Sequence, residues 1–145
     1  MKGIAQILKG KTSKAVHAIG PNETVYEAVR KMAEQGIGAL LVMEDETIVG
    51  IVTERDYARK IVLAGRSSKD TPVSVIMTTR VLCVGPQQTT EECMAIMTES
   101  RVRHLPVLDN GKLIGLVSIG DLVKDIISEQ QFIIEQLEHY ISGSR

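Results

Sequence analysis

Apolar residues come in short bursts along this chain, and the bursts form two matching series. The first opens with Val16 to Ile19, a strand-sized run closed by Gly20-Pro21. Val25, Ala28, Val29 and Met32 then recur at the spacing of one buried helix face. "ALLVM" (39–43) and "IVGIV" (48–52) are continuous apolar runs suited to strands covered on both sides, with the polar turn "EDET" between them. A second helix is expected from Asp56 to Leu63. The second series repeats the order: Val81 to Val84, then a helix face of Thr90, Cys93, Met94 and Met97. "LPVL" (105–108), the turn "DNGK" and "LIGLV" (113–117) follow, and then a helix from Asp121 to Ser128. Asn110-Gly111 is a strong hairpin signal, because both residues tolerate the positive φ of a tight turn.

Shifting the chain by 65 residues aligns 16–57 with 81–122 without a gap, and 12 of the 42 positions are identical. Gly50 falls on Gly115, Thr53 on Ser118 and Asp56 on Asp121. Thr24 with Glu27, and Thr89 with Glu92, have the spacing of a helix capping box. The chain is therefore two copies of a strand-helix-strand-strand-helix unit of about 60 residues. Between them "AGRSSKDTP" is polar and punctuated by Gly and Pro, as a linker would be. A unit this small leaves one sheet face bare. The expected fold class is α/β: two pseudo-symmetric units packed sheet to sheet, two related clefts between them, and a C-terminal helix.

Composition narrows the function. With 43% hydrophobic and 24% charged residues the chain has enough apolar side chains for a core. A net charge of −1 and only three Tyr, one Phe and no Trp give no support to a nucleic-acid partner. No apolar run approaches membrane-spanning length, and the N-terminus lacks a signal-peptide pattern, so a cytoplasmic protein without a membrane partner is expected. Cys83 and Cys93 sit in strand and helix patterns away from any metal spacing, and are expected to be buried, reduced thiols. The sequence holds no HExxH, Cys/His cluster, phosphate loop or nucleophile elbow. No catalytic residue, catalytic cofactor or metal ligand is assigned.

The repeated Thr53/Asp56 and Ser118/Asp121 have two readings. In the first, the hydroxyl is a helix N-cap and the carboxylate sits at N3, where the positive helix end favours it. In the second, free helix N–H groups receive a phosphate and the carboxylate accepts ribose hydroxyls. Capping needs no matching basic group; ligand binding does.

"VSVIMT" at the start of the second copy, "RVRHLPVLD", and Gly-x-x-(Ser/Thr)-x-x-Asp in both copies resemble a tandem pair of CBS domains, the Bateman module. On that resemblance the chain divides into domains at 7–66 and 74–128, a linker at 67–73 and a helical tail at 129–145. The resemblance implies a regulatory protein that is not an enzyme and that binds an adenosyl ligand: AMP foremost, with ADP, ATP or NAD as alternatives. It implies crossed sites. One would join Thr53, Arg55 and Asp56 to Thr79, Arg80 and Leu82, with Arg103, His104 and Pro106 for phosphate and adenine. The other would join Ser118 and Asp121 to Lys14, Val16 and His17, with Ile37 and Gly38 nearby. "RVRH" against "GIGA" gives the Asp56 site more positive charge, suited to AMP, and the Asp121 site more room, suited to a dinucleotide. The rival is a structural or interaction module without working nucleotide sites.

The tail "SEQQFIIEQLEHYISGSR" reads as a fresh helix capped at Ser128. Phe132, Ile133, Ile134, Leu137, Tyr140 and Ile141 make it too apolar to stand alone in water. It is expected either to pack back on its own module or to form a homodimer contact. With no effector domain in the sequence, the regulated partner would be a separate protein.

Overall fold

The computed structural model describes residues 3–11 and 16–142. The chain is α/β and divides into two compact units, one of residues 15–81 and one joining 1–14 to 82–145. Two short helices set this division. Helix α1 (Ile4–Gly10) precedes the first copy yet packs in the unit of the second. A later helix, Val73–Ile76, opens the second copy yet packs in the unit of the first. Each exchanged helix is docked in the same way. The amides of Ile4 and Ala5 donate to Gln88 O and Pro86 O (2.9 and 3.1 Å); those of Val73 and Ser74 donate to Glu23 O and Pro21 O (2.8 and 3.0 Å). These bonds satisfy N–H groups that a helix start leaves without internal partners. Ile4, Ile7, Val73 and Ile76 are the buried residues that hold the two helices down.

In the 15–81 unit, β1 (Ala18–Ile19) runs parallel to β2 (Ala39–Glu44). Strand β2 pairs antiparallel with β3 (Thr47–Thr53), from Ala39↔Thr53 to Glu44↔Thr47. Helix α2 (Val25–Gln35) buries Val25, Ala28 and Met32, the face that the spacing indicates. Its cap differs from expectation. Thr24 Oγ1 accepts the Glu27 amide at 3.2 Å, but the Glu27 carboxylate pairs with Arg30 at 2.6 Å rather than returning to the cap. After β3 comes α3 (Glu54–Tyr57), which widens into a π-helical turn at Ala58–Val62. The core joins Ile19, Val25, Ala28, Met32, Leu40, Val42, Val52 and Ile61 to Val73 and Ile76 of α4 (Val73–Ile76).

The other unit repeats the plan with α5 (Thr90–Ser100), β4 (His104–Asp109), β5 (Lys112–Ser118) and α6 (Ile119–Ser142). The hairpin at Asn110-Gly111 forms with φ of 51° and 79°. The opening strand shrinks to one parallel bridge, Val84↔Val107. Thr90 stands where the first copy has Val25, and its hydroxyl donates to the buried Asp125 carboxylate at 2.9 Å. Ile4, Ile7, Val84, Cys93, Met97, Leu105, Val107, Val117 and Leu122 form the core.

Three further expectations need correction. Cys83 is exposed; only Cys93 is a buried thiol, its pKa pushed up to about 11, first by burial and then by Glu92. The opening strands are shorter than their apolar runs. No new helix begins at Ser128, because α6 runs through it unbroken, and every described residue from Gln130 onward is exposed.

Candidate functional site

The strand-to-helix corner is built on the same plan in both copies. Thr53 Oγ1 accepts the Asp56 amide at 3.1 Å, and Asp56 Oδ2 accepts the Thr53 amide at 3.0 Å and its hydroxyl at 3.1 Å. Ser118 Oγ accepts the Asp121 amide at 3.2 Å, and Asp121 Oδ2 accepts the Ser118 amide at 2.9 Å. A hydroxyl and a carboxylate three residues apart close this reciprocal cap, so the two repeated residues already have a local reason to recur.

Each carboxylate also holds a lysine that the sequence reading did not assign. Lys60 Nζ lies 3.2 Å from Asp56 Oδ1 and donates to Ile76 O, at the end of α4, at 2.9 Å. Lys11 Nζ lies 2.9 Å from Asp121 Oδ2 and donates to Leu116 O at 2.8 Å. The carboxylate is thus tied to an exchanged helix in both units, but the lysine comes from opposite sides. Lys60 belongs to the carboxylate's own helix, four residues on, a spacing legible in the sequence. Lys11 is the C-cap of α1, so its role follows only from α1 packing on the other copy.

The repeated glycine is a seat for the exchanged helix. A Cβ at Gly50 would lie 2.7 Å from Met77 Sδ and 3.0 Å from Thr78 O; at Gly115 it would lie 2.6 Å from Leu8 Cδ2. Beyond this seat the copies diverge. Ile51 exchanges both backbone hydrogen bonds with Thr78 (2.9 and 2.8 Å). At the matching Leu116, the carbonyl receives the Lys11 side chain.

The remaining assigned residues fall into both units. Val16, His17, Ile37, Gly38, Thr53, Arg55, Asp56, Thr79 and Arg80 lie in the 15–81 unit; Leu82, Arg103, His104, Pro106, Ser118 and Asp121 lie in the other. Lys14 lies outside the described residues. Arg55, Thr79, Arg80 and Arg103 are exposed, and Asp56 and Pro106 are buried. His104 faces Ser118 across the β4–β5 register, which brings it beside Asp121. Gly38 O and Arg103 O play matching roles, accepting the amides of Glu54 (3.1 Å) and Ile119 (2.9 Å). At Gly38 a Cβ would sit 2.8 Å from Glu54 Oε1, the tip of an exposed side chain that can turn aside.

Charge and burial set the protonation of this corner. Burial lowers the His104 pKa; Asp121 pulls it back up, while Lys11 and Arg103 lower it further. Burial opposes ionisation of Asp121, yet the Ser118 amide and Lys11 together hold its carboxyl below the usual range. His104 is therefore neutral and Asp121 ionised at neutral pH.

Among the described residues no cluster of three or more His, Cys, Asp or Glu could hold a metal ion, and no helix is long and apolar enough to cross a membrane. A family model described as CBS domain matches residues 5–63 and again 73–128. A mitochondrial CBS domain-containing protein of Arabidopsis thaliana, CBSX3, is 42% identical over 127 residues, covering 84% of this chain and 62% of its own length. The CBS domain-containing protein YhcV of Bacillus subtilis is 32% identical over 123 residues, covering 85% of this chain and 87% of its own. A solved structure of a protein with CBS domains from Burkholderia ambifaria, described in connection with signal transduction, is 60% identical. It superposes with a TM-score of 0.87 over 89% of this chain and 96% of that one.

Proposed function

The chain belongs to the CBS-domain family, and from that premise we propose that it is a regulatory module that binds an adenosyl ligand and passes the bound state to a separate protein. AMP is the foremost candidate, with ADP, ATP or NAD as alternatives. One observation carries the reading: the same corner is built twice, and each time a fixed carboxylate stands beside a lysine ammonium. The carboxylate suits a ribose diol and the ammonium suits a phosphate. Thr53, Arg55 and Asp56 would form one site with Thr79, Arg80, Leu82, Arg103, His104 and Pro106. Ser118 and Asp121 would form the other with Val16, His17, Ile37, Gly38 and Lys14. No catalytic step is assigned to the chain, and a cytoplasmic location belongs to the proposal, although the Arabidopsis relative is mitochondrial.

A ligand switches a protein only by binding two of its states unequally. The exposed apolar stretch of α6 suits a homodimer whose pairing the ligand would shift. The structural-module reading also has an observation in its favour: the cap and the lysine already occupy both carboxylates. Melting temperature with AMP, ADP, ATP and NAD separates the two. Adenosyl binding predicts a rise that grows with ligand concentration; flat melting with all four favours the structural module.

A further inference from the structure

The two corners differ in what a ligand would displace. At Asp56 the edge of β3 is closed by backbone bonds to Thr78, and Lys60 comes from the same helix as the carboxylate. At Asp121 the matching edge carbonyl, Leu116 O, is closed by the same Lys11 ammonium that holds the carboxylate. Lys11 ends a long flexible stem, so it can leave both acceptors by side-chain rotation, with α1 still docked by Ile4 and Ile7. Its side chain is 28% exposed and that of Asp121 23%, so the contact lies open enough for exchange.

We propose that Lys11 is the specificity-determining residue of the Asp121 site, and that it selects phosphorylated over unphosphorylated adenosyl ligands. The proposal rests on the reading of Asp121 as a ribose acceptor. In the free protein the ammonium and the Ser118 amide share Asp121 Oδ2; a ribose diol accepted by both carboxylate oxygens needs a place on that oxygen too, and so competes with the ammonium. A ligand with a phosphate within the lysine's reach gives the ammonium a new anion as it leaves the old one, so the charge stays paired. A ligand with ribose and adenine alone strands it. The uncompensated loss falls on adenosine and is offset for AMP. Among the described residues Asp121 is the one carboxylate paired with the Lys11 ammonium, so the exchange is between Asp121 and the ligand.

The test is calorimetric titration of adenosine and AMP into the full chain on an Asp56→Asn background, with and without Lys11→Met. Methionine keeps much of the aliphatic stem. Lys9→Met, on an exposed residue of the same helix, controls for loss of charge, and melting temperatures check folding. Removing Lys11 should tighten adenosine about fivefold, the upper range for releasing a partly exposed ion pair. AMP should weaken or stay unchanged, so that the preference for AMP over adenosine falls about fivefold or more. Lys9→Met should change neither. A preference unchanged by Lys11→Met, or adenosine bound more weakly, overturns the proposal while leaving nucleotide binding intact. If neither protein binds AMP or adenosine, the ligand reading itself falls, and this proposal with it.

Discussion

His104 pairs with Ser118 at the end of β5 and feels the Asp121 charge, and the opposed protonation of the two makes the corner sensitive to acid in two windows. The folded protein holds His104 below its ordinary 6.5. As pH falls from 6.5 the unfolded chain takes that proton first, so stability falls with it. Asp121 behaves as a depressed carboxylate: its contribution is intact above 3.8 and is lost as pH falls below that value through the folded pKa. Urea midpoints between pH 7 and 5.5 should therefore drop in the wild type and drop less in His104→Asn. A wild-type midpoint that rises on acidification contradicts this account. The hydroxyl-carboxylate spacing of the corner was legible in the sequence because a cap is local. Lys60 was equally legible at four residues from Asp56. Lys11 was not, because 110 residues separate it from Asp121 and only the docking of α1 joins them.

The exchanged helices explain why each copy carries a glycine in its final strand. Residues 73–77 cross β3 at Gly50, and α1 crosses β5 at Gly115. The consequences of adding a methyl differ. At Gly50 the new Cβ would meet a backbone carbonyl, Thr78 O, at 3.0 Å as well as Met77 Sδ; at Gly115 its nearest neighbours are side-chain atoms, the two methyls and Cγ of Leu8. A side-chain tip rotates away, whereas a paired backbone does not. Gly50→Ala should cost about 1–3 kcal/mol in urea unfolding, in the range of core overpacking, and Gly115→Ala distinctly less. Equal or reversed costs would contradict the seating of these helices. Apolar periodicity located α2, α5 and the two hairpins, whose burial faces are set within a few residues. It could not place α1 and α4: both are short, and their packing partners lie in the other copy. It also overstated the opening strands, since an apolar run reports burial and says nothing of whether backbone pairing accompanies it.

Helix α6 joins the core of its unit only through its first turns. In α6 only Leu122 and Asp125 are buried, while Phe132, Ile133, Ile134, Leu137, Tyr140 and Ile141 are exposed, Tyr140 and Ile141 to 82%. Packing back onto its own module, one of the two expectations, is not what the described residues do. Ordinary monomers rarely expose so much apolar surface, and this is the observation behind the proposed homodimer, which would have the two-fold symmetry usual for one. Removing 129–145 should convert a dimer to a monomer in light scattering; an unchanged dimer would place the contact elsewhere. The ligand reading underlies all of this, and AMP calorimetry on the wild type, Asp56→Asn and Asp121→Asn tests it most directly. The account predicts that each substitution weakens AMP at its own site about tenfold or more, the worth of a charge-assisted hydrogen bond, over and above whatever melting temperature is lost with the cap and the ion pair. Undiminished AMP affinity in both variants, with melting lowered, would show that the carboxylates are helix caps and nothing more.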